Sequence, residues 1–253
     1  MSNTVRLINI FMNITIAGYG FVGQAHYELL KDKHNVTVYD PYKDYNDFGN
    51  PEAVIVCVST PQREDGSCET TNVFEVIEQC SDVPILIKST ISIEGWDMLV
   101  ETFPNKKLSF SPEFLRANTA VEDLQNAKET YIGGGDIEFW KWVLQKPVRE
   151  FDPRSLVLAK YFRNSFLATK VSFFNQMYDL CKAVDVDYES VRQAVTEDSR
   201  IGDSHSWVTE QRGFGGHCFP KDTTAITKTG QRENVSLSLI KEAIEYNKRI
   251  RKD

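Results

Sequence analysis

The chain has 253 residues, 41% hydrophobic and 26% charged, the balance of an ordinary globular protein with room for one large domain or two modest ones. Its formal net charge of -7 and pI near 5.3 argue against a nucleic-acid surface, and no apolar run is long enough to span a membrane. Five cysteines, at positions 57, 68, 80, 181 and 218, include no C-x-x-C pair, so no zinc or disulfide framework is expected, no metal site is predicted, and a reducing cytoplasm fits.

Met1–Phe11 lacks the layout of a signal peptide and reads as an extension, residues 1–11, ahead of a fold that begins at Met12. Asn13–Ala17 is then a short apolar strand, followed at once by Gly18-Tyr19-Gly20-Phe21-Val22-Gly23, a helical pattern to about Lys33, and a second strand, Val36–Tyr39, ending in Asp40. This is G-x-G-x-x-G between strand and helix with an acidic residue some twenty positions on. The first glycine makes the turn, the second admits a pyrophosphate and the third lets helix and strand pack closely. Free N–H groups and the positive dipole end of the helix suit phosphate. Asp40 would accept from ribose hydroxyls, which favours NAD over NADP.

The alternation continues. Ala53–Val58 reads as a buried parallel strand ending in Ser59-Thr60-Pro61, and Asn72–Cys80 as a helix. Strand Ile85–Ile87 runs into Lys88-Ser89-Thr90, and Ser92 is an N-cap for a helix through Thr102. Strand Leu108–Phe110 leads to Ser111-Pro112-Glu113-Phe114-Leu115-Arg116. Strands at Thr130–Ile132 and Val148–Glu150 complete the series, with Asp136 capping the helix between them. Strands alternating with helices predict an α/β fold, a doubly wound parallel sheet of Rossmann type over residues 12–150. Ligands bind beyond the carboxyl ends of such strands, so Thr60, Thr90 and Glu113 are expected to face one crevice.

After Asp152-Pro153 the pattern turns helical. Residues 154–184 contain neither proline nor glycine and repeat apolar residues at helical spacing, predicting one long central helix of an all-helical domain over residues 151–253. Lys160 and Asn164 lie one turn apart on one face of it. Tyr188–Glu197 reads as a short helix, Asp198–Gly213 as a loop, and roughly Val235–Ile250 as a last helix. Between them stands Gly213-Phe214-Gly215-Gly216-His217-Cys218-Phe219-Pro220-Lys221-Asp222. A lone cysteine is ordinarily a small apolar residue. Here glycines that let backbone close around a group, and an ammonium that favours the thiolate, make Cys218 a candidate nucleophile.

Taken in order, GYGFVG, VSTP, KST, SPEFLR, the Lys160/Asn164 helix, SRIG and GFGGHCFPKD resemble the UDP-glucose 6-dehydrogenases within the nucleotide-sugar dehydrogenase family, over nearly all of residues 12–225. The resemblance implies a four-electron oxidation of UDP-glucose to UDP-glucuronate with two NAD. Cys218 would capture the aldehyde as a thiohemiacetal that goes on to a thioester. It implies that Lys160 and Asn164 support the oxyanion, with Lys160 a candidate acceptor of the alcohol proton, and that Asp222 holds and activates water. Glu113 and Thr90 match residues that place the hydrolytic water. Phe21, Val22, Lys43, Ser59 and Lys221 join the glycines, Asp40, Thr60, Thr90 and Glu113 as cofactor-binding positions. Phe114, Leu115, Arg116, Phe214, Gly215 and Phe219 join Lys160 and Asn164 on the sugar nucleotide. Arg200 matches an arginine reaching it from a neighbouring subunit, and the long helix matches a homodimer core.

Three departures stand out. Family members usually continue into a third, UDP-binding α/β domain, so a compact member without it is expected. Ala117-Asn118-Thr119-Ala120 replaces Glu-Gly-Thr-Ala, which is expected to loosen the loop over the sugar, and His217 replaces a serine. Two other readings stay open: a two-electron dehydrogenase of the β-hydroxyacid type, which would not need Cys218, and a non-catalytic chain that binds nucleotide sugar.

Overall fold

The computed structural model describes residues 11–252, so the extension expected over residues 1–11 falls, all but Phe11, outside the described residues. The chain divides into two units, residues up to 60 with 69–157, and residues 61–68 with 158 onward.

The first unit is built on a five-stranded parallel sheet. Strands β1 (Asn13–Ala17), β2 (Asn35–Tyr39), β3 (Ala53–Val56), β4 (Pro84–Ile87) and β5 (Lys107–Phe110) lie in the order β2-β1-β3-β4-β5. The order reverses between β1 and β3, whose register is Ile14↔Ala53 to Ala17↔Val56. Helices α1 (Phe21–Leu30), α2 (Thr71–Gln79) and α3 (Ile93–Thr102) make the crossovers. β3 is short, apolar and wholly buried, as a strand covered on both faces must be. It ends two residues before the apolar run does. Cys57 still donates to Ala17 O at 2.6 Å, but the chain then leaves the ladder. Ile14, Ile16, Ile55, Leu86, Leu30 and Trp140 share one hydrophobic core cluster, and the Trp140 indole N–H finds Ser109 Oγ at 2.9 Å, so its ring is buried at no polar cost.

Two differences from the sequence expectation concern β6 (Thr130–Ile132) and β7 (Val148–Glu150). They form a two-stranded parallel sheet of their own, joined to the end of β5 by a single antiparallel bridge, Phe110 to Gly133. The short α4 (Ala120–Asn126), whose N-cap Thr119 makes no side-chain cap hydrogen bond, precedes them. α5 (Ile137–Leu144) connects them, capped by Asp136 on Phe139 N at 3.0 Å, and Ser92 caps α3 on Gly95 N at 3.1 Å; both caps were expected.

The second unit is helical: α6 (Pro153–Ala183), α7 (Tyr188–Thr196), α8 (Phe219–Arg232) and α9 (Ser238–Ile250), the division between units falling inside α6. Asp152 caps α6 on Ser155 N and Pro153 opens it with a preset φ. α8 was not expected. Its start hides behind glycines, yet proline in the first turn followed by Asp222 is a helix-opening signature.

Candidate active site

The β1–α1 turn of the first unit has the form of a phosphate cradle. Gly18 has φ +93°, and a Cβ there would lie 2.6 Å from the backbone of Cys57. A Cβ on Gly23 would lie 2.0 Å from Gly18 O, so helix and turn pack backbone to backbone. Gly20 is the opposite case: among the described residues no atom comes within 4 Å of where its Cβ would stand, which leaves open space over the start of α1. Gly20 offers no side-chain cap, and no acidic residue occupies the first turn, where Phe21 and Val22 stand. The helix therefore presents N–H groups and its dipole to an anion. Asp40, at the end of β2, accepts from Tyr19 N at 2.8 Å, and Lys43 donates to Tyr19 O at 2.7 Å, tying acid and turn together. A dinucleotide fits this arrangement: an anion cradle with room above it and a ribose-accepting carboxylate beside it.

The other strand ends carry the remaining positions. Ser59, exposed after β3, accepts from Asn72 Nδ2, and Thr60 is buried. Thr90 follows β4. Glu113 follows β5, buried, with Oε2 accepting from Leu115 N at 2.7 Å. Phe114 packs edge-on to Tyr131, and Leu115 packs on Ala25, Ala120 and Leu124. Arg116 is exposed and forked onto Asp123, which also accepts from Thr119. The loop with the Ala117–Ala120 departure is thus organised by Asp123.

In the second unit α6 and α8 bring together three expected residues, Asn164, Lys221 and Asp222. Lys160 and Asn164 are both buried on one face of α6. Asn164 Nδ2 donates to Asp222 Oδ2 at 2.6 Å, and Lys221 Nζ donates to Asp222 Oδ1 at 2.6 Å. Asp222 is 1% exposed, so both carboxylate oxygens are held where water scarcely reaches. Each such hydrogen bond to a charged group contributes about 1.5–3 kcal/mol. Burial pulls the Lys221 ammonium down, but the Asp222 carboxylate, with the Cys68 and Cys218 sulfurs beyond it, outweighs burial and carries it above the ordinary lysine value. Cys218, half-buried, is the N-cap residue of α8, where the dipole favours an anion.

Two of the glycines before it, Gly213 and Gly215, have close neighbours. Gly213 has φ +53°, and a Cβ there would meet Asn247 Oδ1 at 2.1 Å. Asn247 in turn clasps the backbone of Phe214 through Oδ1 to N at 2.6 Å and Nδ2 to O at 2.9 Å. Phe214 is buried with Ala168, Val171 and Phe219, and Gly215 abuts the Arg251 guanidinium. Arg200 lies apart from this group, its side chain 87% exposed and paired with Asp198.

Sequence reasoning missed three features. Asn247 has no local signal. Arg192 is buried, bonded to Glu189 and Asp203 and stacked 3.4 Å from the Trp207 ring, holding the loop after α7. Segment 61–68 lies on α8, with Gly66 against Thr224 and Lys228. The first two were readable only as charged or polar residues among many.

Comparison with known proteins places these features in context. Residues 28–143 match the NAD binding domain, and residues 154–249 the central domain, of the UDP-glucose/GDP-mannose dehydrogenase family. A UDP-glucose 6-dehydrogenase of Rickettsia felis is 33% identical over 222 residues, 80% of this chain and 49% of that protein. UDP-glucose 6-dehydrogenase YwqF of Bacillus subtilis is 30% identical over 214 residues, 78% of this chain and 48% of that protein. The structure of a UDP-glucose dehydrogenase from Pyrobaculum islandicum superposes with a TM-score of 0.83 at 26% identity, covering 97% of this chain and 70% of that one. The chain spans about half the length of the curated relatives it matches.

Proposed function

The chain belongs to the UDP-glucose/GDP-mannose dehydrogenase family and carries its NAD-binding domain, and from that premise we propose that it oxidises the C6 alcohol of UDP-glucose to the carboxylate of UDP-glucuronate. The observation that carries this reading is the Asn164–Asp222–Lys221 arrangement at the head of the helix that Cys218 begins. A two-electron alcohol dehydrogenase has no use for a thiol there.

NAD, when bound over the Gly18–Gly23 turn with its ribose at Asp40, supplies the hydride acceptor for both oxidations. The protein's own groups do the rest. Lys160, buried on α6, takes up the alcohol proton, and the ammonium so formed supports the oxyanion. The Cys218 thiolate adds to the aldehyde carbon to give a thiohemiacetal, which keeps a reactive aldehyde from escaping and still carries the second hydride. Loss of that hydride leaves a thioester. Asp222, oriented by Asn164 and Lys221, takes a proton from water as it attacks, and the carbon–sulfur bond breaks to return the thiol. Overall one alcohol, two NAD and one water give one carboxylate, two NADH and three protons.

A homodimer is supported by α6, where Phe162, Phe166, Phe173 and Leu180 form one exposed apolar stripe over a helix about 46 Å long. The five cysteines, all present as thiols, support a reducing compartment such as the cytoplasm.

Counting NADH against UDP-glucose consumed tests the reading: two per sugar is expected, and one refutes it. With Cys218→Ser, release of the acid should stop while NAD still binds. Undiminished UDP-glucuronate from that variant rules out the covalent route.

A further inference from the structure

One buried charge in the first unit has no part in the scheme above. Lys88, the residue after β4, is 4% exposed, and its Nζ donates to Ser111 Oγ, itself fully buried, at 2.8 Å. An ammonium taken out of water costs several kcal/mol before its partners are counted, and an apolar residue of the same length commonly fills such a place as well. A retained buried cation therefore points to a task. Its surroundings sharpen the point. The nearby His26 imidazole, with Nδ1 on Val22 O at 2.9 Å, is pushed down to about 3 by burial and then by Lys88 itself, so it stays neutral. The Cys57 thiol is pushed up to about 12 by burial, with Lys88 pulling it down and Glu113 adding to the rise. Imidazole and thiol are both uncharged, which leaves the Lys88 ammonium and the Glu113 carboxylate as the charges acting on that thiol.

The backbone around Lys88 shows what it joins. Lys88 N donates to Val56 O at 2.8 Å, and Ser111 N to Ile87 O at 2.9 Å, so both residues extend the sheet by one step past its strands. Thr90 comes two residues after Lys88, and Glu113 two residues after Ser111, with Pro112 stiffening the link. One Nζ–Oγ bond thus ties the ends of β4 and β5 on the side of the crevice away from the Gly18–Gly23 turn. A dinucleotide lies across such a crevice, with its pyrophosphate at the turn and one half on each side.

We propose that Lys88 is a positioning residue for the nicotinamide half of the cofactor, holding the Thr90 and Glu113 strand ends in register through Ser111. The proposal rests on the assignment of Thr90 and Glu113 to the cofactor crevice. It says nothing of the sugar.

The test is titration calorimetry of the whole chain with NAD and, separately, with ADP, which needs only the turn and Asp40. Lys88→Met keeps the stem and removes the charge; it should weaken NAD about tenfold and leave ADP unchanged. Ser111→Ala should weaken NAD by a smaller factor in the same selective manner. Hydrogen exchange read by mass spectrometry should speed up over residues 111–116 in both variants. NAD and ADP weakening together would mean that Lys88 merely stabilises the unit, and unchanged NAD affinity with unchanged exchange would mean that it positions nothing; either overturns the proposal. A parent chain that binds NAD but forms no NADH from UDP-glucose sinks the proposed reaction and leaves this result intact.

Discussion

Asn164→Asp offers a quantitative test of the arrangement at the head of α8. The parent side chain donates to Asp222 Oδ2 at 2.6 Å, with Asp222 1% exposed. The substitution changes almost no volume but sets a second carboxylate where the donor stood. Two unit charges about 4 Å apart at an effective dielectric of about 20 repel by about 4 kcal/mol. The alternative is for one carboxyl to bind a proton, which from an ordinary value near 3.9 costs about 1.4 kcal/mol per pH unit, or about 4 kcal/mol at pH 7. Both routes set the same loss. The folded pair holds a proton that the unfolded carboxylates release above about pH 4, so the deficit grows as pH rises. It should shrink by about 2.7 kcal/mol between pH 7 and pH 5. Urea unfolding followed by circular dichroism at both pH values measures it, with Asn164→Ala as the control losing about 1.5–3 kcal/mol independent of pH. A variant as stable as the parent at pH 7, or a deficit that ignores pH, would show that Asn164 and Asp222 do not meet.

Other outcomes are expected. Gly20→Ala should leave stability within about 0.5 kcal/mol, since its Cβ meets nothing, yet abolish tight NAD binding; Gly18→Ala, whose Cβ would strike Cys57 backbone, should lose both, as thermal melts and NAD titrations would show. His26, held neutral by burial and then by Lys88, makes the fold acid-sensitive: the unfolded imidazole binds a proton below 6.5 that the folded one refuses until about 3. Stability should therefore fall by about 1.4 kcal/mol per pH unit as pH drops through that window, and His26→Leu should flatten the profile in urea melts. Cys57 and Cys218 are both half-buried, yet iodoacetamide at pH 8 should label Cys218 first, because burial pushes the Cys57 thiol up to about 12; peptide mass spectrometry gives the order. Phe166→Glu should convert a dimer to monomer in light scattering, and a parent that is already monomeric refutes the role given to the α6 stripe.

Much of the molecule was readable along the chain because the signals are local. The glycine spacing at 18, 20 and 23 identified a turn because only residues without a side chain tolerate backbone at 2.6 Å or a φ of +93°. Ser92 and Asp136 marked helix starts because a side-chain oxygen reaches an N–H three residues on. Lys160 and Asn164 share a face because a helix turns every 3.6 residues. Tertiary structure alone decided that β6 and β7 form a separate sheet, that segment 61–68 belongs with the helices, and that Asp222 has both oxygens held. The Asn164 donor stands 58 residues from that carboxylate, and Lys88 is 23 from Ser111. Partners so distant leave no periodicity or cap behind; what joins them is burial, which deprives a charged group of water and makes it bond to whatever the packing brings near.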